Sequence, residues 1–106
     1  MDRRLLLDEE LREIHQEYEK NNYVYFEPPE GYKMKYNAIV YELMDPDVKR
    51  ANNRSYLIRD KYHVSVITRN VESKEPRAIQ EHFERCTPGR PFVRDNLYHF
   101  PFTIFY

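Results

Sequence analysis

The sequence predicts an α+β fold, an antiparallel β-sheet packed against an N-terminal helix and a second, short helix. Three observations carry that expectation. Apolar residues recur at helical spacing over residues 3–20, they alternate with polar ones around 38–43 and 57–69, and turn-forming residues separate the segments.

The first helix is read from Leu7, Leu11, Ile14 and Tyr18, spaced four, three and four apart, with charges on the remaining faces. Asp8, Glu9 and Glu10 sit early and Lys20 sits last, the polarity the helix dipole favours, and Asn21-Asn22 stops the helix. Tyr23-Val24-Tyr25-Phe26 is aromatic and β-branched and reads as a first strand, ended by Pro28-Pro29 and Gly31.

A second strand is expected over Ala38–Leu43, with Ile39, Tyr41 and Leu43 on one face and Ala38, Val40 and Glu42 on the other. Asp45-Pro46-Asp47 closes it, and residues 48–55 form a polar loop. A third strand over about Leu57–Arg69 puts Tyr62, Val64, Val66 and Thr68 on one face. Its simplest geometry is antiparallel to the second.

After a turn from Asn70 to Glu75, Pro76 opens a short helix through Arg85 that buries Ile79 and Phe83, and Thr87-Pro88-Gly89 terminates it. Two closing strands, about Pro91–Arg94 and Tyr98–Tyr106, flank Asp95-Asn96. The last is apolar at nearly every residue, so it is either covered on both faces or keeps one face for a partner.

The 106 residues make one domain, long enough to bury roughly 60–70% of the unfolded surface. A hydrophobic fraction of 41% supplies one modest core, and sixteen aromatic residues, ten of them Tyr, are too many for a disordered chain. No apolar run is long enough to span a membrane, and residues 1–8 are too short for a signal-peptide core. The single Cys86 has no internal disulfide partner, which fits a reducing compartment. With only Gly31 and Gly89, glycine-rich phosphate and dinucleotide loops are excluded.

Charge is uneven. Residues 1–20 hold seven acids and four bases, whereas residues 49–69 hold Lys49, Arg50, Arg54, Arg59, Lys61 and Arg69 against Asp60 alone. Such a basic hairpin suits a solvated strand edge, an acidic protein partner or phosphate.

No catalytic or metal motif is complete. His82 and Cys86 would share a helical face, but a structural zinc needs four ligands, and His15, His63 and His99 show no matching spacing. Pro46-Asp47 followed by Glu72-Ser73-Lys74 has the residue types of a metal nuclease. The acid-x-Lys, however, falls in a turn rather than on the strand that chemistry needs. None of Ser55, Ser65 and Ser73 sits in a nucleophile elbow. No cofactor is expected, and the chain is not expected to be an enzyme.

From Tyr25 to Tyr106 the blocks run in a recognisable order. They are Tyr25-Phe26-Glu27-Pro28-Pro29, Lys35-Tyr36, Ala38-Ile39-Val40-Tyr41-Glu42, Asn52-Asn53-Arg54-Ser55-Tyr56, the stretch Lys61–Arg69, and Asp95-Asn96-Leu97-Tyr98-His99 before the aromatic end. This order resembles the small neck and tail-completion proteins of long-tailed bacteriophages, the tail-terminator or minor-capsid type. Two positions depart: Asn37 stands where a proline is expected, and Glu72 only approximates an expected acid before the second helix.

The resemblance implies a virion structural protein that caps the tail tube, takes part in head–tail joining and forms a homo-hexameric ring, in some relatives only on meeting the tube. Its implied partners are the tail tube protein and a head-completion or connector protein, with DNA at most passing through the lumen. Lys49, Arg50, Arg54, Tyr56, Arg59, Tyr98 and Phe105 are the candidate contact residues. A general protein-interaction adaptor is the alternative, and the nuclease a more distant one.

Overall fold

The computed structural model describes residues 3–44 and 60–106. Helix α1 spans Arg3–Glu19 and buries Leu7, Leu11, Ile14 and His15. Tyr18 does not join them. It lies in the last turn, 42% exposed, just before Lys20 (φ 58°) reverses the chain, and His15 takes its place against the core.

Strand β1 (Val24–Phe26) pairs with β2 (Ala38–Leu43) in parallel, Val24 facing Ile39 and Phe26 facing Tyr41. The sheet is therefore mixed rather than wholly antiparallel. The segment 27–37 carries the chain back along β1, and Tyr32 N–H bonds Pro29 O (3.0 Å) next to Gly31 at φ 84°. Parallel neighbours require such a return, and here it is made without a helix.

Strand β3 (Lys61–Thr68) runs antiparallel to β2 and to β6 (Leu97–Phe105). Alternation along β3 buries Tyr62, Val64, Val66 and Thr68, the four that share a face by spacing. The pleat likewise sends Phe102 and Ile104 of β6 into the core, leaving Pro101, Thr103 and Phe105 on the opposite, partly open face.

Helix α2 runs Glu75–His82 with Pro76 in its first turn. It is shorter than the periodicity suggests, because Phe83 turns extended (φ −92°, ψ 131°) and drops its ring into the core. Beyond it Cys86–Pro88 forms strand β4, not a bare terminator, pairing Cys86 with Ile104 and Pro88 with Phe102. Cys86 is thus on a strand, and it shares no helical face with His82. Strand β5 (Phe92–Arg94) pairs with the start of β6 through a two-residue turn, Asp95 (φ 55°) and Asn96 (φ 64°).

The sheet order is β1-β2-β3-β6-β4, with β5 also on β6. Strands β4 and β5 therefore lie end to end along one edge. One core, formed by Leu7, Leu11 and Ile14 of α1, Ile79 of α2 and the inward residues of β1, β2, β3 and β6, fills the space between helices and sheet. This is the α+β architecture the sequence predicts.

Candidate functional site

Lys49, Arg50, Arg54, Tyr56 and Arg59 lie outside the described residues, as does Asp47. The two remaining candidates are not brought together. Tyr98 pairs with Thr68 and Val93, whereas Phe105 pairs with Lys61. They are seven residues apart on β6, so the pleat directs them to opposite faces roughly 23 Å apart. Glu72-Ser73-Lys74 occupies the turn before α2, where Glu72 N–H bonds Asn70 Oδ1 (2.9 Å) and Ser73 N–H bonds Asn70 O (3.1 Å).

Exposed apolar residues lie along β5 and at the far end of β6. Val93 is 62% exposed, Phe92 44% and Phe105 38%. Arg85, Arg90 and Arg94 stand exposed among them. Phe92 stacks on His99 with ring centroids 4.7 Å apart and planes at 7°, and the Arg94 guanidinium lies 5.5 Å from the Phe92 ring centre. Burial holds His99 below its usual pKa, so its imidazole is uncharged in the stack at neutral pH.

The opposite edge is partly capped. Arg12 lies against β1, its Nη2 donating to Val24 O and its Nη1 to Asn22 O (3.1 Å each), while its Nε donates to Asp8 Oδ1 (2.5 Å). Asp8 Oδ2 in turn accepts from Tyr41 Oη (2.5 Å). The fork occupies two of this edge's carbonyls, so fewer free backbone groups remain there for another chain.

Sequence reasoning missed the most buried polar contact. His15 and Glu75 are both 0% exposed, with Nδ1 2.6 Å from Oε2. His15 Nε2 also bonds Asn37 O (3.2 Å). A carbonyl can only accept, so Nε2 carries a proton, and a second proton lies between Nδ1 and the carboxyl. Burial opposes charge on the ring, but the hydrogen bond and charge of Glu75, with lesser help from Asn21 and Asn37, outweigh it and raise the His15 pKa.

Asn37 is fixed as well, donating to Glu19 Oε1 (2.8 Å) and accepting from Arg69 N–H (2.8 Å). With no exposed surface the pair touches no substrate, so its role is to tie α1 to α2. The signal available in the sequence was His15 itself, beside Ile14 at the edge of the apolar stripe.

Other titratable groups are similarly occupied. Burial pushes the Cys86 thiol up to about 11, which leaves it a poor nucleophile at neutral pH. Burial, reinforced by the hydrogen bond to Glu10, pushes Tyr106 up to about 12. Glu10 also meets His82 Nε2 at 2.7 Å, joining α1, α2 and the end of the chain. Among the described residues no three His, Cys, Asp or Glu side chains gather to hold a metal, and no helix is long and apolar enough to cross a membrane.

Compared with known proteins, the chain matches no family model, no curated protein and no solved structure.

Proposed function

We propose that this chain is a non-enzymatic structural subunit of a bacteriophage virion, placed at the head-proximal end of the tail. There it caps the tail tube and takes part in joining tail to head. The observation that carries the reading is the asymmetry of the sheet edges. Two carbonyls at one are capped by Arg12, and the other presents Phe92 and Val93 of β5 beside Arg90 and Arg94.

A monomer gains nothing by leaving Phe92 and Val93 in water. A subunit covered by its neighbours does. Two edges of unlike character favour head-to-tail contacts between unlike surfaces, the kind that close into rings. The ordered resemblance of the Tyr25–Tyr106 blocks to tail-terminator proteins supplies the biological setting, with the tail tube and a connector protein as partners.

The test is a stop codon in this gene within its parent phage, with the lysate imaged by negative-stain electron microscopy. Filled heads beside unattached tails of irregular, overgrown length are expected. Loose tails of normal length would reduce the role to joining, and intact virions would overturn the reading.

A further inference from the structure

A cleft of about 470 Å³ opens between the start of α2 and the β4–β5 edge. Phe100 and Phe102 form its apolar floor, Pro88 and Pro91 one wall, and Lys74 and Arg77 the other. Its lining holds two cations and no acid. Arg77 faces Glu81 at 3.7 Å, an exposed pair too weakly held to exclude another carboxylate.

The edge beside this cleft is a poor template for an added strand. Pro88 and Pro91 have no N–H to donate, each flanking strand is three residues long, and Gly89 N–H is already spent on Pro101 O (2.8 Å). A partner therefore engages this region through side chains, and an amphipathic helix is the element that presents them in a row.

Helix α1 carries such a row on its outer face. Leu5, Glu9, Glu13 and Glu17 follow one another every four residues, all exposed, over about 18 Å of helix. Leu5 is 52% exposed, and Arg12, the nearest cation, is turned inward to Asp8 and β1. This acidic row with an apolar end complements a cationic cleft with an apolar floor.

We infer that α1 of one copy lays its Leu5–Glu17 row across the Lys74–Arg77 cleft of a second copy. The inference rests on the ring-subunit reading and specifies which surfaces meet. Leu5 reaches the Phe100–Phe102 floor, and Glu9 and Glu13 face Lys74, Arg77 and Arg90. Donor and acceptor surfaces are different parts of the chain, so each copy can use both at once.

A zero-length carbodiimide cross-linker tests this, because it joins a carboxylate to a lysine amine only where the two touch. Equal amounts of unlabelled and ¹⁵N-labelled full-length chain are mixed at about 1 mM, a concentration at which even a millimolar contact is populated. Mass spectrometry should find mixed-label links from Lys74 to Glu9, Glu13 or Glu17. They should fall at least tenfold in Arg77→Glu/Arg90→Glu, whose fold circular dichroism checks, and return at the substituted positions when that variant meets Glu13→Lys.

Intermolecular links elsewhere, or none, would overturn the pairing whatever the phage phenotype. The stop-codon experiment reads the virion role separately, so Lys74–α1 links from a chain dispensable for tails would keep this contact and discard that role.

Discussion

His15 and Glu75 sit sixty residues apart in the chain yet meet at 2.6 Å with neither side chain reaching solvent, one on α1 and the other opening α2. Removing one partner leaves the other buried without its counter-charge, which costs about 3–5 kcal/mol. Urea unfolding should place His15→Ala and Glu75→Ala in that range. The double change His15→Leu/Glu75→Leu should cost less than either, because an apolar pair leaves no buried charge. A double variant as unstable as the sum of the two singles would show that the side chains act independently.

The same contact makes stability depend on pH with a definite sign. His15 is raised above its ordinary 6.5 in the folded state, so folding favours its protonated form. Its contribution is fully present below about pH 6.5 and is lost as the pH rises through the higher folded-state value. The groups facing the ring are Glu75, the Asn37 carbonyl and Asn21, and none supplies a second cation. The difference in urea midpoint between the natural chain and His15→Leu/Glu75→Leu, which leaves neither titrating group, should therefore shrink between about pH 6 and pH 9. A constant difference would place the proton elsewhere.

How much of this was legible depended on whether a feature is local. The bounds of β2 and the inward face of β3 follow from alternation alone, because a half-buried strand must repeat every two residues. Tyr23–Phe26 reads as a strand from its aromatic and β-branched composition, but its direction is set by the return of residues 27–37, which no periodicity encodes. The end of α2 at Phe83 was hidden by a helical spacing that the core satisfies equally well with an extended residue.

Cys86 joined a strand because β6 had an unpaired flank there, a fact of topology. The His15–Glu75 contact joins α1 directly to the first turn of α2, with three strands between them in chain order, and a single sequence carries no mark of it. Of the candidate contact residues, Tyr98 and Phe105 were legible as aromatic. Their opposite faces follow only once the register is known.

Arg12 should matter more than an ordinary surface arginine. Its fork satisfies Asn22 O and Val24 O while Nε pairs with Asp8, so it caps the β1 edge and ties that edge to α1. Arg12→Ala is expected to cost about 1–2 kcal/mol, at the upper end for exposed groups because two carbonyls lose their donor together. Amide hydrogen exchange should accelerate at Tyr25 and Glu27 before it does in β3. Arg12→Lys should recover half the loss or less, since an ammonium cannot span both carbonyls in the plane of a guanidinium. Full recovery by lysine would mean that charge, not the fork, caps the edge.

The β5–β6 turn sets how firmly Phe92, Val93 and Arg94 are presented. Asp95 and Asn96 both occupy left-handed backbone, φ 55° and 64°, which short polar side chains tolerate and β-branched ones do not. Asn96→Val should destabilise the chain by about 1 kcal/mol or more, whereas Asn96→Gly should be neutral or stabilising by a few tenths. Thermal unfolding of the two variants provides the measurement. The turn lies away from the Lys74–Arg77 wall, so Asn96→Gly should leave cross-links between Lys74 and α1 unchanged while slowing amide exchange at Phe92, whose partner across the hairpin is His99. Loss of those links in a variant that folds normally would mean that the hairpin itself carries the contact, with Val93 and Arg94 as its centre and the cleft as a bystander.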